Sequence, residues 1–187
     1  MGVVLAGASV AVGPGWLSAA LADLSDEELT DGPTLLALAG SSGRLVGEAT
    51  LSFTDTYVAG SWTSVEVDDD PDAIDELERR CPPDDVLEVG LAQFDWRFVV
   101  RDDSDHPVAG AGLQEWEQIL GHLGVLTAPD ARGRGWATRA AAVATNEALD
   151  RGLVPQWRCR TGNTAFAALA VKLGYQVLGR QATVLLT

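Results

Sequence analysis

The chain has 187 residues, 47% of them hydrophobic and 21% charged, and carries a formal net charge of −14. It is too apolar for a disordered chain and long enough for one domain, or for a domain with an appended lobe. The negative charge argues against a nucleic-acid binder, because neutralising phosphates needs clustered cations.

No window approaches 18 uninterrupted apolar residues, and Met1 to Trp16 has no Lys or Arg ahead of its apolar stretch, so neither a membrane span nor a secretory signal is expected. Val3 to Ala6 after Gly2 does not fit a myristoylation signal. Two cysteines, Cys81 and Cys159, supply neither a disulfide framework nor a metal cluster. A soluble, cytoplasmic protein without a metal, a nucleic acid or a membrane partner is expected; a homodimer is left open. The charge is unevenly spread, with a net of −16 through Asp95 and +2 from Trp96 onward. The C-terminal half therefore tolerates an anionic ligand, whereas the N-terminal half attracts cations.

In chain order, Trp16 to Leu29 reads as a short helix with Asp31-Gly32-Pro33 as its stop. Leu35 to Ala39 and Leu45 to Phe53 read as strands joined by the loop Gly40-Ser41-Ser42-Gly43-Arg44. The acidic run Asp68 to Asp72 leads into a helix from Ala73, where carboxylates favour the dipole, and Cys81-Pro82-Pro83 closes it. Then come Trp96 to Val100, a turn at Asp102 to His106, Val108 to Glu117 and Leu120 to Thr127, an antiparallel meander. Ala137 to Leu149 is a helix with a small-residue face (Ala137, Ala140, Ala141, Ala144, Ala148) and Gly152 at its end. Leu153 to Arg160 is a strand, Asn163 to Leu173 a helix ended by Gly174, and Tyr175 to Leu178 and Ala182 to Leu186 are closing strands. This order implies a mixed α/β (α+β) sheet flanked by helices. Residues 1–95 form an acidic N-terminal lobe of hairpin and helices, and 96–187 form the core.

One segment carries chemistry. The strand ending at Leu126-Thr127-Ala128-Pro129 feeds Asp130-Ala131-Arg132-Gly133-Arg134-Gly135-Trp136-Ala137, which runs into the alanine-rich helix. Two closely spaced glycines let backbone N–H groups approach an anion, the helix start adds partial positive charge, and Arg132 and Arg134 add full charges. A phosphate suits this loop, although it is neither a GxGxxG nor a GxxxxGK[ST] motif. Taken alone, the loop also fits a surface turn that caps a helix.

Arg132 to Ala137, preceded by Pro129 and a strand, resembles the acetyl-coenzyme A pyrophosphate loop of the GCN5-related N-acetyltransferase (GNAT) family. Downstream, Asn163 to Tyr175, with Lys172-Leu173-Gly174 before an aromatic residue, is similar to that family's closing helix. The resemblance covers roughly Trp96 to Leu186. It implies a splayed GNAT-type sheet holding acetyl-CoA in the gap between Leu120–Thr127 and Leu153–Arg160. It also implies that Val125, Leu126 and Thr127 bind the pantetheine and acetyl group through their backbone. The N–H groups of Arg132, Gly133, Arg134, Gly135, Trp136 and Ala137 would cradle the pyrophosphate, with the Thr138 hydroxyl in reach and Asn163 facing the pantetheine arm. The implied activity is transfer of acetyl to an amine, from a small molecule or a peptide, by direct attack in a ternary complex. If the acidic N-terminal lobe covers the acceptor side it would draw in a cationic acceptor; the alternative is that its charge only keeps the protein soluble.

The chain departs from the family at Ala170, where a Tyr often stands as general acid for the leaving thiolate. A thiol of pKa about 8.5 leaves tolerably near neutral pH, and a general acid contributes about 10²–10⁴-fold, so the loss is survivable. Glu115, Glu117 and His122 are candidates for the base, with Glu117 and His122 flanking the turn nearest the cleft. Cys159 reads as a buried, inert thiol, and Tyr175 as a core aromatic. The departure also keeps open a non-catalytic acyl-CoA binding or sensing domain, and a purely structural pairing domain.

Overall fold

The computed structural model describes residues 1–60, 65–67 and 71–187. Strands β1 (Gly2–Leu5) and β2 (Ala8–Ala11) form a hairpin turned by Ala6 and Gly7, both at positive φ (49° and 82°), the geometry of a two-residue primed turn. The single helix expected over Trp16 to Leu29 is broken into a 3₁₀ turn (Gly15–Leu17), α1 (Ser18–Ala22) and α2 (Asp26–Leu29). Ser25 causes the restart. Its hydroxyl accepts from the Glu28 N–H, and the Glu28 carboxylate accepts from the Ser25 N–H, a complete capping box.

The strand expected at Leu35 to Ala39 is instead helix α3 (Gly32–Ala39), followed by β3 (Gly43–Phe53). Asp31-Gly32-Pro33 starts this helix rather than stopping one: the Asp31 carboxylate accepts from the Thr34 N–H at 2.8 Å, and Pro33 lies in the first turn, where no N–H is needed. The same inversion occurs later. After β4 (Val65–Val67) and α4 (Pro71–Arg79), the prolines expected only to close a helix open α5 (Pro83–Val89), with Pro82 as N-cap and Gly90 ending it at φ 63°. Asp72 lies in the first turn of α4, and Asp68 to Asp70 lie outside the described residues.

The remaining elements follow expectation closely: β5 (Trp96–Arg101), β6 (Pro107–Trp116), β7 (Leu120–Thr127), α6 (Trp136–Asp150), β8 (Val154–Arg160) and α7 (Thr164–Lys172). The two closing strands are one, β9 (Gln176–Leu186), continuous through Gly179. That glycine lies against β1, and a Cβ there would run into the Val4 carbonyl, so it serves close strand packing rather than a turn.

The chain divides into two units, neither of them a continuous half of the sequence. One comprises Met1–Ser52, Arg158–Ala168 and Gln176–Thr187; the other comprises Phe53–Trp157 and Leu169–Tyr175. The boundary expected at Asp95 falls inside the second unit, because Ile74, Leu77 and Leu91 are buried in one cluster with Val99, Val108 and Leu126. Core packing, not charge, draws the division.

In the first unit the strand order is β2-β1-β9-β3, with Arg158–Arg160 of β8 beyond β3. Leu17, Leu21, Leu29 and Leu35 pack with Ala182 beneath it. The second unit is a sheet in the order β8-β7-β6-β5-β4, antiparallel except for the parallel β7–β8 pair. Its alanine-faced helix α6 buries Ala140, Ala141, Ala144 and Ala148 completely. A Cβ at Gly121 of β7 would lie 2.9 Å from that of Ala148, which shows how closely small residues let the helix approach the sheet.

Candidate active site

The alanine-rich helix starts at Trp136 with Gly135 as its N-cap, in the left-handed region (φ 83°, ψ 3°) and with no side chain capping it. The first intrahelical donor is the Arg139 N–H, bonded to the Gly135 carbonyl at 3.2 Å. The N–H groups of Trp136, Ala137 and Thr138 thus form an uncapped first turn at the positive end of a 15-residue helix. Gly133 is also left-handed (φ 76°), and a Cβ at either glycine would meet nothing within 4 Å. Open space and unblocked donors coincide, which is what an anion needs to reach the backbone.

The flanking side chains are fixed from both sides. Arg132 pairs with Asp85 of α5 at 2.7 Å, and its Nε donates to the Thr127 carbonyl at 3.3 Å. Arg80 donates to the Pro107 carbonyl (2.9 Å) and pairs with Asp130 (3.0 Å). Trp136 is covered by the Arg139 guanidinium at 4.6 Å, Lys172 donates to the Thr138 hydroxyl at 3.3 Å, and Arg134 is exposed. Sequence reasoning missed Asp85 and Arg80, whose contacts with the loop span 47 and 50 residues. Beside them, burial pushes the Cys81 thiol up to about 11, so it is protonated and inert at neutral pH.

Val125, Leu126 and Thr127 lie on β7 immediately before this loop and pair with Ala111, Gly110 and Ala109 of β6. On the opposite side, the parallel ladder with β8 comprises Leu120↔Val154, Gly121↔Pro155 and His122↔Gln156. Among the described residues, it does not continue along Leu123 to Thr127. That stretch of β7 is an edge running from His122 to the loop, a distance of roughly 17 Å at about 3.3 Å per residue.

His122 stands at the head of this edge. Its ring is stacked on Trp116 (centroids 4.4 Å apart, 14° between planes) and more loosely on Phe94 (6.0 Å, 17°). Phe94 lies flat over Gly112 of β6 and its partner Gly124 of β7, where a Cβ would come within 2.5 Å and 2.6 Å of the ring. Two glycines in mid-strand are the sequence signal for that ring, and the signal went unread. Glu117 is placed differently: it is exposed at the tip of the β6–β7 hairpin at φ 53°, next to Gln118 at φ 57°, beyond the start of β7 and away from the loop.

Asn163 belongs to the other unit. Its side-chain oxygen accepts from the Phe166 N–H at 3.1 Å, which caps α7. Ala170 is buried, and the Tyr175 hydroxyl, also buried, bonds the Thr145 hydroxyl at 2.9 Å. Burial pushes the Tyr175 phenol well above its ordinary range, so it remains a neutral core group. Cys159 is 3% exposed, consistent with an inert thiol. Among the described residues, no helix is long and apolar enough to cross a membrane.

The GNAT acetyltransferase family model matches residues 99–181. A search of curated proteins gives no match. Among solved structures, a GNAT-family protein from Novosphingobium aromaticivorans is similar with a TM-score of 0.61 and 23% identity, over 77% of this chain and 67% of that one. An acetyltransferase of the family from Colwellia psychrerythraea gives 0.59 and 13%, over 79% and 58%. A GCN5-related N-acetyltransferase from Kribbella flavida gives 0.55 and 18%, over 81% and 62%. The chain thus spans about six-tenths to two-thirds of the length of these structures, which share its fold. The strand, the glycine-capped helix and the matched segment agree: residues 99–181 match the GNAT acetyltransferase family model, and the chain shares the fold of these structures.

Proposed function

We propose that the protein is an N-acetyltransferase that moves an acetyl group from acetyl-CoA to an amine by direct attack in a ternary complex. The observation that carries this reading is the uncapped start of α6 behind Gly133 and Gly135, joined directly to the one-sided edge of β7. Acetyl-CoA supplies the activated acetyl thioester. The pyrophosphate takes the N–H groups of the loop from Arg132 to Ala137, with Arg134 and the Thr138 hydroxyl beside it. The pantetheine amides take the backbone groups of Val125, Leu126 and Thr127, as an added strand would. The ~17 Å of edge is of the order of an extended pantetheine arm, which favours the His122 end of β7 for the thioester.

The base takes up the proton that the attacking amine loses, and it must lie within hydrogen-bond reach of the nitrogen, directly or through one water. His122 fits by position; Glu117 at the hairpin tip does not. The amine nitrogen forms a bond to the acetyl carbon, the carbon–sulfur bond breaks, and coenzyme A leaves as thiolate. Water supplies the proton for the thiolate, since Ala170 offers no hydroxyl and Tyr175 is bonded in the core.

Release of free coenzyme A thiol from acetyl-CoA, measured over a panel of amines, tests the reading. Amine-dependent release is expected, with a limb of kcat/KM that rises with pH in the wild type and in Glu117→Gln but not in His122→Ala. Tight coenzyme binding without release, which the loss of a Tyr at position 170 favours, would make the protein a non-catalytic acyl-CoA sensor. Unaltered pH limbs in His122→Ala would remove His122 as base.

A further inference from the structure

The rings around His122 do more than hold it. Across the sheet, Asp95, Gln114 and His122 form a row: Gln114 pairs with His122 in the β6–β7 register, and the Asp95 carboxylate accepts from Gln114 Nε2 at 2.7 Å and from the Glu115 N–H at 3.1 Å. Trp116 lies two residues from Gln114 on the same face of β6, stacked on His122 yet 40% exposed. Phe94, by contrast, is 8% exposed and belongs to the core. The face therefore presents an accessible indole beside the base and a fixed carboxylate about 10 Å away, two strand spacings across the sheet.

Both features remain open to solvent. A large aromatic ring left two-fifths exposed forfeits part of the gain from its burial. The Asp95 carboxylate is exposed, and among the described residues its hydrogen bonds come from neutral donors. An indole face attracts an ammonium through its quadrupole, and a carboxylate fixed by two hydrogen bonds attracts one by charge. Together they suit an acceptor whose second ammonium is held here while its reacting amine lies at His122.

We propose that Trp116 and Asp95, with Gln114 orienting the carboxylate, form the acceptor subsite and select amines that carry a second positive charge. The inference rests on the acetyltransferase reading with His122 as base. It goes beyond that reading by naming the class of acceptor, a diamine or a cationic side chain.

The test is calorimetric binding of 1,5-diaminopentane and of 1-aminopentane to the full chain in the presence of coenzyme A. The wild type is expected to bind the diamine more tightly. Trp116→Ala should weaken diamine binding by roughly 2- to 30-fold, the range that a cation–π contact supports, and Trp116→Phe should restore part of it. Asp95→Asn, at an exposed position and with an amide oxygen that still accepts a hydrogen bond, should remove the preference for diamine over monoamine. Equal affinity for the two amines in the wild type, or a diamine-to-monoamine ratio unchanged in both Trp116→Ala and Asp95→Asn, overturns the proposal. Because binding requires no turnover, a retained preference without thiol release would sink the acetyltransferase reading and leave the subsite standing. Thiol release with no preference would do the reverse.

Discussion

Substituting Gly135 separates the backbone's role in ligand binding from its role in folding. The residue is left-handed (φ 83°), and a Cβ there meets nothing within 4 Å. Gly135→Glu therefore creates no clash in the free protein and costs about 1–2 kcal/mol of backbone strain, part of it recovered by a carboxylate at a helix N-terminus. At about 2–4 °C per kcal/mol for a chain of this size, the free variant melts a few degrees below the wild type. In the wild type, acetyl-CoA at 100 times its Kd adds about 2.7 kcal/mol, a rise of about 5–11 °C. In the variant the side chain and its negative charge occupy the space the pyrophosphate needs, so the rise should vanish. Gly152→Glu is the control: it is left-handed too (φ 74°) with nothing within 4 Å, and it lies past the other end of α6, about 25 Å away. It should lose somewhat more stability, because a carboxylate at the C-terminal end opposes the helix dipole, and keep the ligand shift. Thermal unfolding of the three proteins with and without acetyl-CoA decides the matter. An equal shift in Gly135→Glu and wild type would refute the loop as the phosphate site.

Gly112→Ala places a methyl group against the Phe94 ring and should destabilise by about 1–3 kcal/mol; combining it with Phe94→Leu should recover part of the loss, and an unchanged urea midpoint in the single variant would contradict the packing account. Tyr175→Phe removes a hydroxyl bonded to Thr145 in the core and should lower stability by about 1 kcal/mol while leaving turnover intact; a fall in kcat of about 10²-fold or more would make Tyr175 the missing acid after all.

The glycine-bearing loop and the helix behind it were legible in the sequence because everything that makes them is local. Two glycines, a helix start and an alanine face act within Arg132 to Ala148, and neighbours in sequence are enough to fix them. The meander was legible for the same reason, its strands and turns following one another between Trp96 and Thr127. Local signals misled where one residue type serves two purposes. Pro33 and Pro83 were read as helix stops, yet each stands in a first turn, and only a hydrogen bond such as that from Thr34 to Asp31 distinguishes a start from a stop.

Tertiary structure alone decided the rest. The sequence offers three candidates for the base, and only the structure places Glu117 at the exposed tip of the hairpin and His122 where the β7–β8 ladder ends. The indole that covers it, the carboxylate across the sheet and the acidic partner of Arg132 are 6, 27 and 47 residues away in sequence. Strand β3 lies between β9 and the end of β8, with Thr161 bonded to Glu48 at 2.9 Å, so part of the stretch expected to form a separate lobe is a strand of the sheet. No periodicity or charge count carries such information. Pairing between distant strands is set by which backbone edges and apolar faces remain to be satisfied once the local elements have formed, and that depends on the whole chain at once.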